Sequence, residues 1–418
     1  MKVEHARRAI SLATLGAVAA LATSGAGPSE KVEGPAVSER AARVHAAGML
    51  VDGHNDLPWK LRQLGDVGFA KYDISKRIEG TQTDIPRLRA GGVKAQFWSV
   101  FIPSNTSNPA RTVTEQIDLV HRMVERYPDD LEMAYSADDI ERIAKAGKVA
   151  SLIGIEGGVA IEEDLAQLRS FYRLGARYMT LTHGKTLSWA DSATDQHRHD
   201  GLTPFGERVV REMNRLGMLV DISHVAHETM ADVLRVSKAP IIASHSSAYA
   251  ICPRLRNVPD AMLMEVARNR GVVMVNFFSG FIVAEYGRQV DEARRMLLAK
   301  YKDDDDGYWK ALDTWYDAHK PPRGTVADVA DHIDHIVKVA GIDHVGIGSD
   351  FDGIAVWPVG LEDVSCFPRL TEELLRRGYS EADVHKVLGG NLLRAFREAA
   401  ALAAVLRKTT RPDVDPKE

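Results

Sequence analysis

His54 and Asp56 stand one residue apart in "VDGHNDLP", directly after the apolar run Met49-Leu50-Val51. At i and i+2 of an extended strand end, both side chains point the same way and can reach one cation. Imidazole beside carboxylate is a donor pair that suits zinc and similar divalent ions. Residues of the same kind recur downstream: Glu156 in "IGIEGG", His183 in "TLTHG", His224 in "DISH", His245 in "ASHSSA", and Asp350 with Asp352 in "GIGSDFDG". His224 and His245 would serve a second ion, and Glu156, with two oxygens, can bridge the pair. Two divalent cations sharing a carboxylate activate water and polarise a carbonyl, which is chemistry for hydrolysing stable bonds at neutral pH.

Each residue taken alone has a plainer reading. A single strand-end histidine is usually a hydrogen-bonded structural group. Asp56 could cap a following helix, and Asp352 before Gly353 reads as a turn. Coincidence favours the metal: five candidate ligands, His54, Asp56, Glu156, His224 and His245, stand at the same end of their apolar runs. Other clusters keep the plainer reading. His197 and His199 in "DQHRHD" suggest a solvated loop or lid, His332 and His335 in "DHIDHI" a wet helix face, and the run Asp303 to Asp306 lacks the spaced ligands and turn glycine of a calcium loop.

The elements that must position these residues follow from periodicity. Apolar runs predict strands at Met49 to Asp52, Val93 to Phe101, Val149 to Ile155, Tyr178 to Leu181, Leu219 to Ile222, Ile241 to Ser244, Val272 to Asn276 and Val345 to Gly348. Helical spacing predicts Gln116 to Arg126, Ala160 to Leu174, Phe205 to Leu216, His227 to Val236, Asp260 to Arg268 and Val326 to Val339 between them. Strand and helix alternate, and the strands are apolar without alternation, as burial on both faces requires. A (β/α)8 TIM barrel fits, and its C-terminal rim gathers catalytic groups. The competing doubly wound open sheet would want a Gly-rich phosphate loop after the first strand, and none is there. Residues 284–322, with several aromatics and Pro321-Pro322, read as an insertion in a single domain spanning 39–406.

The chain has 418 residues, 45% hydrophobic and 27% charged, which is ordinary globular composition. A net charge of -5 leaves no basic footprint for nucleic acid. Lys2, Arg7 and Arg8 precede an uncharged stretch, and Ser24 and Ala26 suit a cleavage site, so residues 1–26 read as an export signal of Sec or twin-arginine type. Its apolar centre, Ala9 to Ala22, is shorter than the about 20 apolar residues a spanning helix needs. Residues 27–38 read as a linker and 407–418 as a disordered tail, and the expected product is periplasmic or secreted, with no membrane attachment once the signal is cleaved. Cys252 and Cys366 are the only cysteines, and spacing alone does not pair them.

The ordered motifs "VDGHNDLP", "IEGG", "TLTH" with "WADS", "DISH", "SHSSAY" with "RNVPD", "GIGSDFDG", "GLEDVS" and "GGNLLR" resemble those of the membrane (renal) dipeptidase family, the zinc dipeptidases of the amidohydrolase-type barrels. The likeness runs from about Ala47 to Arg397. It implies two zinc ions, one on His54 and Asp56, the other on His224 and His245, with Glu156 bridging. It further implies His183 at the substrate carbonyl, Arg256 on the free carboxylate of a dipeptide, Asp350 as general base and acid, tolerance of a C-terminal D-residue, and a tendency to form homodimers. Arg254 is the neighbour with which Arg256 could be confused. An N-acyl-amino-acid deacylase or a lactonase would use the same metals, and a non-catalytic exported protein binding metal or peptide is the alternative of another class.

Overall fold

The computed structural model describes residues 34, 36–302, 304–319 and 322–414. Nine strands lie among them: β1 (Leu50–Asn55), β2 (Val93–Phe101), β3 (Leu131–Met133), β4 (Val149–Glu156), β5 (Ala176–Thr180), β6 (Leu219–Asp221), β7 (Ile242–Ala243), β8 (Val272–Val275) and β9 (Val345–Ile347). All pairings are parallel. β1 pairs with β2, β2 with β4, each later strand with its successor, and β9 with β1. Eight strands therefore close a (β/α)8 barrel. β3, which the apolar pattern does not reveal, stands outside this ring against residues 149–151 of β4, just before β5 takes over at Ile153.

The unbroken hydrophobicity of the strands has the expected cause. In β4, Leu152 joins the inner cluster with Val51, Phe97, Tyr178, Leu219 and Met274. Ile153 and Ile155 join the outer layer with helix residues such as Ile117, Val120 and Leu168. Gly154 has no side chain because the Tyr178 ring fills that place: a Cβ there would lie 2.0 Å from it. Leu392, Leu393, Phe396 and Ala399 of the helix Asn391–Thr409 belong to the inner cluster too, so this helix packs against the barrel interior. Side-chain caps start several outer helices, among them Ser136 on Ala137–Lys145 and Thr203 on Pro204–Leu216.

Residues 284–322 carry two helices, Ala284–Lys300 and Asp305–Ala318. Tyr286 and Val290 of the first, with Trp315 and Tyr316 of the second, pack on Phe278 and Phe281. Asp304, from the acidic run, caps the second helix. The chain beyond Leu406, expected to be disordered, instead continues its helix to Thr409, and the Asp413 carboxylate receives Arg208 Nε and Nη2 at 2.8 and 2.9 Å. That bidentate pair anchors the segment as far as Val414. The leader read in residues 1–26 lies outside the described residues, among which no helix is long and apolar enough to cross a membrane. Cys252 and Cys366 are both free thiols.

Candidate metal centre and active site

The strand ends bring His54, Asp56, Glu156, His183, His224, His245 and Asp350 into one neighbourhood. His54 closes β1, and its Nε2 lies 3.3 Å from Asp56 Oδ2, 3.5 Å from Glu156 Oε2 and 3.9 Å from Asp350 Oδ1. Glu156, at the end of β4, divides its oxygens. Oε2 faces His54 and receives Ser99 Oγ at 3.2 Å. Oε1 faces His224 Nε2 at 3.0 Å, His245 Nε2 at 3.5 Å and His183 Nε2 at 3.9 Å. Three groups of possible ligand atoms lie within 4.8 Å of one another: His54-Glu156-His245, Glu156-His183-His224 and His54-Asp56-Asp350. Glu156 belongs to two of them, and His183 stands with His224 rather than apart from the ligand set. Asp56 makes no cap bond to the helix Leu57–Gln63 that it precedes; Asn55 Oδ1 receives Leu57 N–H instead. Its carboxylate is thereby left to the cluster.

Hydrogen bonds behind the ligands decide which nitrogen faces inward. Tyr178 Oη donates to Gly53 O at 3.2 Å, so it accepts from His54 Nδ1–H at 2.8 Å. Ser244 Oγ donates to Asp221 Oδ2 at 2.6 Å and accepts from His245 Nδ1–H at 2.8 Å. Both imidazoles then aim a bare Nε2 lone pair at the cluster. These Nε2 atoms are buried and have no hydrogen-bond partner among the described residues. Orphaned imidazole nitrogens among carboxylates are what a divalent cation would satisfy, so the donor set fits a metal.

The electrostatics point the same way. Burial would raise Glu156, but the charge of His54 and the His224 imidazole at 3.0 Å hold it well below the usual carboxylate range. Burial lowers His54, but Tyr178, Glu156 and Asp56 outweigh it and push the imidazole well above its ordinary value. A field that draws a proton to His54 draws a metal cation for the same reason. His224 and His245 are driven well down, first by burial and then by neighbouring cations, including Arg256 for both. Neutral imidazole is the ligating form. Burial, with Asp56 and Glu156 close by, drives the Asp350 carboxyl well up against the pull of His54.

Two site residues, His224 at φ 69° and Asp350 at φ 65°, hold a left-handed backbone that non-glycine residues seldom adopt. Asp350 is held by its N–H to His54 O at 3.0 Å and by Asn276 Nδ2, which donates to Oδ2 at 2.8 Å. Arg256 is buried, with Nη1 on Ser246 Oγ at 3.2 Å, Nη2 on His245 O at 3.4 Å and the guanidinium 5.1 Å over the Phe281 ring. Its Nε has no partner among the described residues, and burial brings the guanidinium down to about 10. Arg254 is spent elsewhere: Nη1 bonds Gly287 O and pairs with Asp291. His183 lies edge-on to Phe101, with ring centroids 4.6 Å apart, and Trp59 packs edge-on against Phe101 in turn.

The polar groups behind the ligands escaped the sequence reading. Asp52 receives Ser349 N–H at 2.7 Å and Ser349 Oγ at 2.6 Å, fixing the residue before Asp350. Asp221 receives Ser223 and Ser244 N–H, Ser244 Oγ and Thr180 Oγ1, and so ties the His224 and His245 turns together. Their signal was a polar residue at a position that must be buried, which demands a partner. His332 corrects an expectation. It is not on a wet face but fully buried, with Nδ1 accepting Ala248 N–H and Nε2 donating to Ile282 O, both at 3.0 Å. His335 pairs with Asp260. His199 bonds Leu187 O and His197 faces Glu228, both away from the cluster. Asp352 exchanges bonds with Gln82, accepting its N–H at 2.8 Å and donating its own to Oε1.

The family model of membrane dipeptidases, peptidase family M19, matches residues 38–410. Among solved structures, the probable dipeptidase PvdM from Pseudomonas aeruginosa is 26% identical with a TM-score of 0.77, over 87% of this chain and 98% of that one. A metallopeptidase of family M19 called dipeptidase AC is also 26% identical, with a TM-score of 0.67 over 84% and 98% of the two chains. A metallo peptidase from Rhodobacter sphaeroides, liganded with a phosphinate mimic of L-Ala-D-Ala, shares the fold at 24% identity and a TM-score of 0.67, over 84% and 99%.

Proposed function

The chain belongs to the membrane dipeptidase family of metallopeptidases, and from that premise we propose a binuclear-zinc dipeptidase that hydrolyses dipeptides with a free C-terminal carboxylate, including those ending in a D-residue. His54 and Asp56 hold one zinc, His224 and His245 the other, and Glu156 is shared. The observation that carries this is the convergence of two partnerless Nε2 atoms, from His54 and His245, on the two different oxygens of Glu156. Zinc bound there would activate the attacking water and polarise the scissile carbonyl.

The protein's own groups do the rest. Arg256 offers a guanidinium fork with no carboxylate partner, suited to the substrate's terminal carboxylate. His183 reaches the carbonyl oxygen and supports the charge that builds there. Asp350, whose carboxyl favours its proton, delivers that proton to the departing amine. Phe101 and Trp59 wall the His183 side. The leader read in residues 1–26 supports export, which cell fractionation would check.

The test is turnover of L,L and L,D dipeptides beside N-acetylated amino acids and lactones by zinc-loaded protein, with Asp350→Asn as the control. Hydrolysis confined to dipeptides with a free carboxylate and lost in Asp350→Asn is expected. Turnover only of acylated amino acids or lactones would move the assignment to a deacylase or lactonase. Peptide binding without turnover would make the chain a binding protein.

A further inference from the structure

Asn276, the residue after β8, is fully buried behind Asp350. Its Nδ2 donates to Asp350 Oδ2 at 2.8 Å and to the His245 carbonyl at 3.3 Å, and its Oδ1 receives the Phe278 N–H. These three partners fix which way the amide points. Turned over, its oxygen would face the His245 carbonyl and its NH2 would face the Phe278 N–H, acceptor against acceptor and donor against donor. An amide NH2 only donates, so toward Asn276 the Asp350 Oδ2 can only accept. Asp350 Oδ1 looks the other way. It lies 3.9 Å from His54 Nε2, on the side of the candidate ligands, where a Cβ on Gly353 would come within 2.8 Å of it. The His245 carbonyl that receives Asn276 also receives Arg256 Nη2 at 3.4 Å, so one buried amide ties Asp350 to the same backbone oxygen that steadies the arginine.

We propose that Asn276 is a positioning residue for the hydrolysis: by donating to Oδ2 it confines the transferable proton of Asp350 to Oδ1, the oxygen that faces the reacting groups. This rests on the dipeptidase reading and adds to it a residue that acts through Asp350. The attacking water supplies the proton that Oδ1 carries. That proton then passes to the amide nitrogen as the C–N bond breaks and its electron pair stays on nitrogen, which leaves Asp350 a carboxylate again. A residue at 276 that can accept would let Oδ2 hold the proton instead, turned away from the substrate.

The leaving group tests it, because a departing amine needs the proton and a departing thiolate does not. Values of kcat and KM are measured for Ala-Ala and for its thioester analogue, alanyl-thiolactate, in zinc-loaded wild type, Asn276→Asp and Asn276→Ser, with Asp350→Asn alongside. Both substrates meet the same sample, so any misfolded fraction cancels from the ratio of the two rates. In Asn276→Asp, kcat for Ala-Ala should fall by about 100-fold, while KM and thioester turnover stay within about threefold of wild type. Asn276→Ser should show the same selective loss in smaller measure, and Asp350→Asn the largest. Zinc affinity, read by competition with a chromophoric chelator, should match wild type in both Asn276 variants. Equal losses on the two substrates, no loss on Ala-Ala, or zinc affinity that falls in step with turnover would each overturn the inference. Cleavage of Ala-Ala by wild type keeps the dipeptidase reading whichever way the ratio falls, and its failure overturns both.

Discussion

His332 makes the loop that carries Arg256 sensitive to acid. Its two ring nitrogens are committed in opposite senses, Nδ1 accepting Ala248 N–H and Nε2 donating to Ile282 O. Only the neutral imidazole satisfies both, and burial lowers its proton affinity from 6.5 to about 4. The unfolded chain takes up the proton near 6.5 and the folded chain only near 4, so between these values the unfolded state binds more protons and stability falls as pH falls. At pH 5 the loss from this residue is about 2 kcal/mol. Replacing His332 with Leu removes the titration but leaves a buried N–H and a buried C=O without partners, at about 1–3 kcal/mol each. Urea unfolding at pH 7 should therefore find His332→Leu less stable than wild type by about 2–6 kcal/mol. At pH 5 the gap should shrink by about 2 kcal/mol, because only wild type has the histidine to protonate. A gap of equal size at both pH values would refute the neutral, doubly bonded His332. A gap that widened on acidification would refute it more strongly.

Tyr178→Phe removes the oxygen that orients His54 and should weaken zinc binding by about 10–100-fold in a competition assay with a chromophoric chelator. Its circular dichroism spectrum should match wild type. Gly353→Ala would place a Cβ 2.2 Å from Asp56 Oδ2 and 2.8 Å from Asp350 Oδ1. The carboxylates must move aside, and dipeptide turnover should drop by about 100-fold. Chelation leaves Asp56, Glu156 and Asp350 close together and buried, so the apparent Tm should fall and recover on adding zinc, with about 2.7 kcal/mol regained at a hundredfold excess over Kd. A Tm indifferent to chelator and zinc would count against the metal centre.

Much of the barrel was readable because burial on both faces leaves an unmistakable run. Leu219, Val220 and Ile222, and Val272 to Val275, are apolar with little interruption, and the structure places β6 and β8 there. The helix His227–Val236 has the bounds its spacing predicts. The helix expected from Gln116 begins instead at Pro109, where proline occupies the first helical position, and the two missed turns hold too few apolar residues to show a stripe. β3 has three residues, with no period to read. The candidate ligands were visible because histidine and acid at strand ends are chemically conspicuous. Tyr178 was not, since a tyrosine within a strand looks like core, and only its meeting with His54, 124 positions away, gives it a task.

His332 was misread for a related reason. In the helix Val326–Ala340 it lies three residues after Val329 and four before Ile336, on the buried stripe, but Asp331 and Asp334 beside it gave the segment a wet look. The two arginines of "PRLRNV" show the limit of local reading most sharply. Two residues apart in an irregular loop, Arg254 and Arg256 cannot be ranked by periodicity. What separates them comes from elsewhere in the chain: Asp291, on the inserted helix, neutralises Arg254, and Phe281 lies under Arg256 while its Nε stays free. The insertion therefore settles which arginine is left for a ligand. An inserted pair of helices that touches no candidate metal ligand can in this way decide what the pocket accepts.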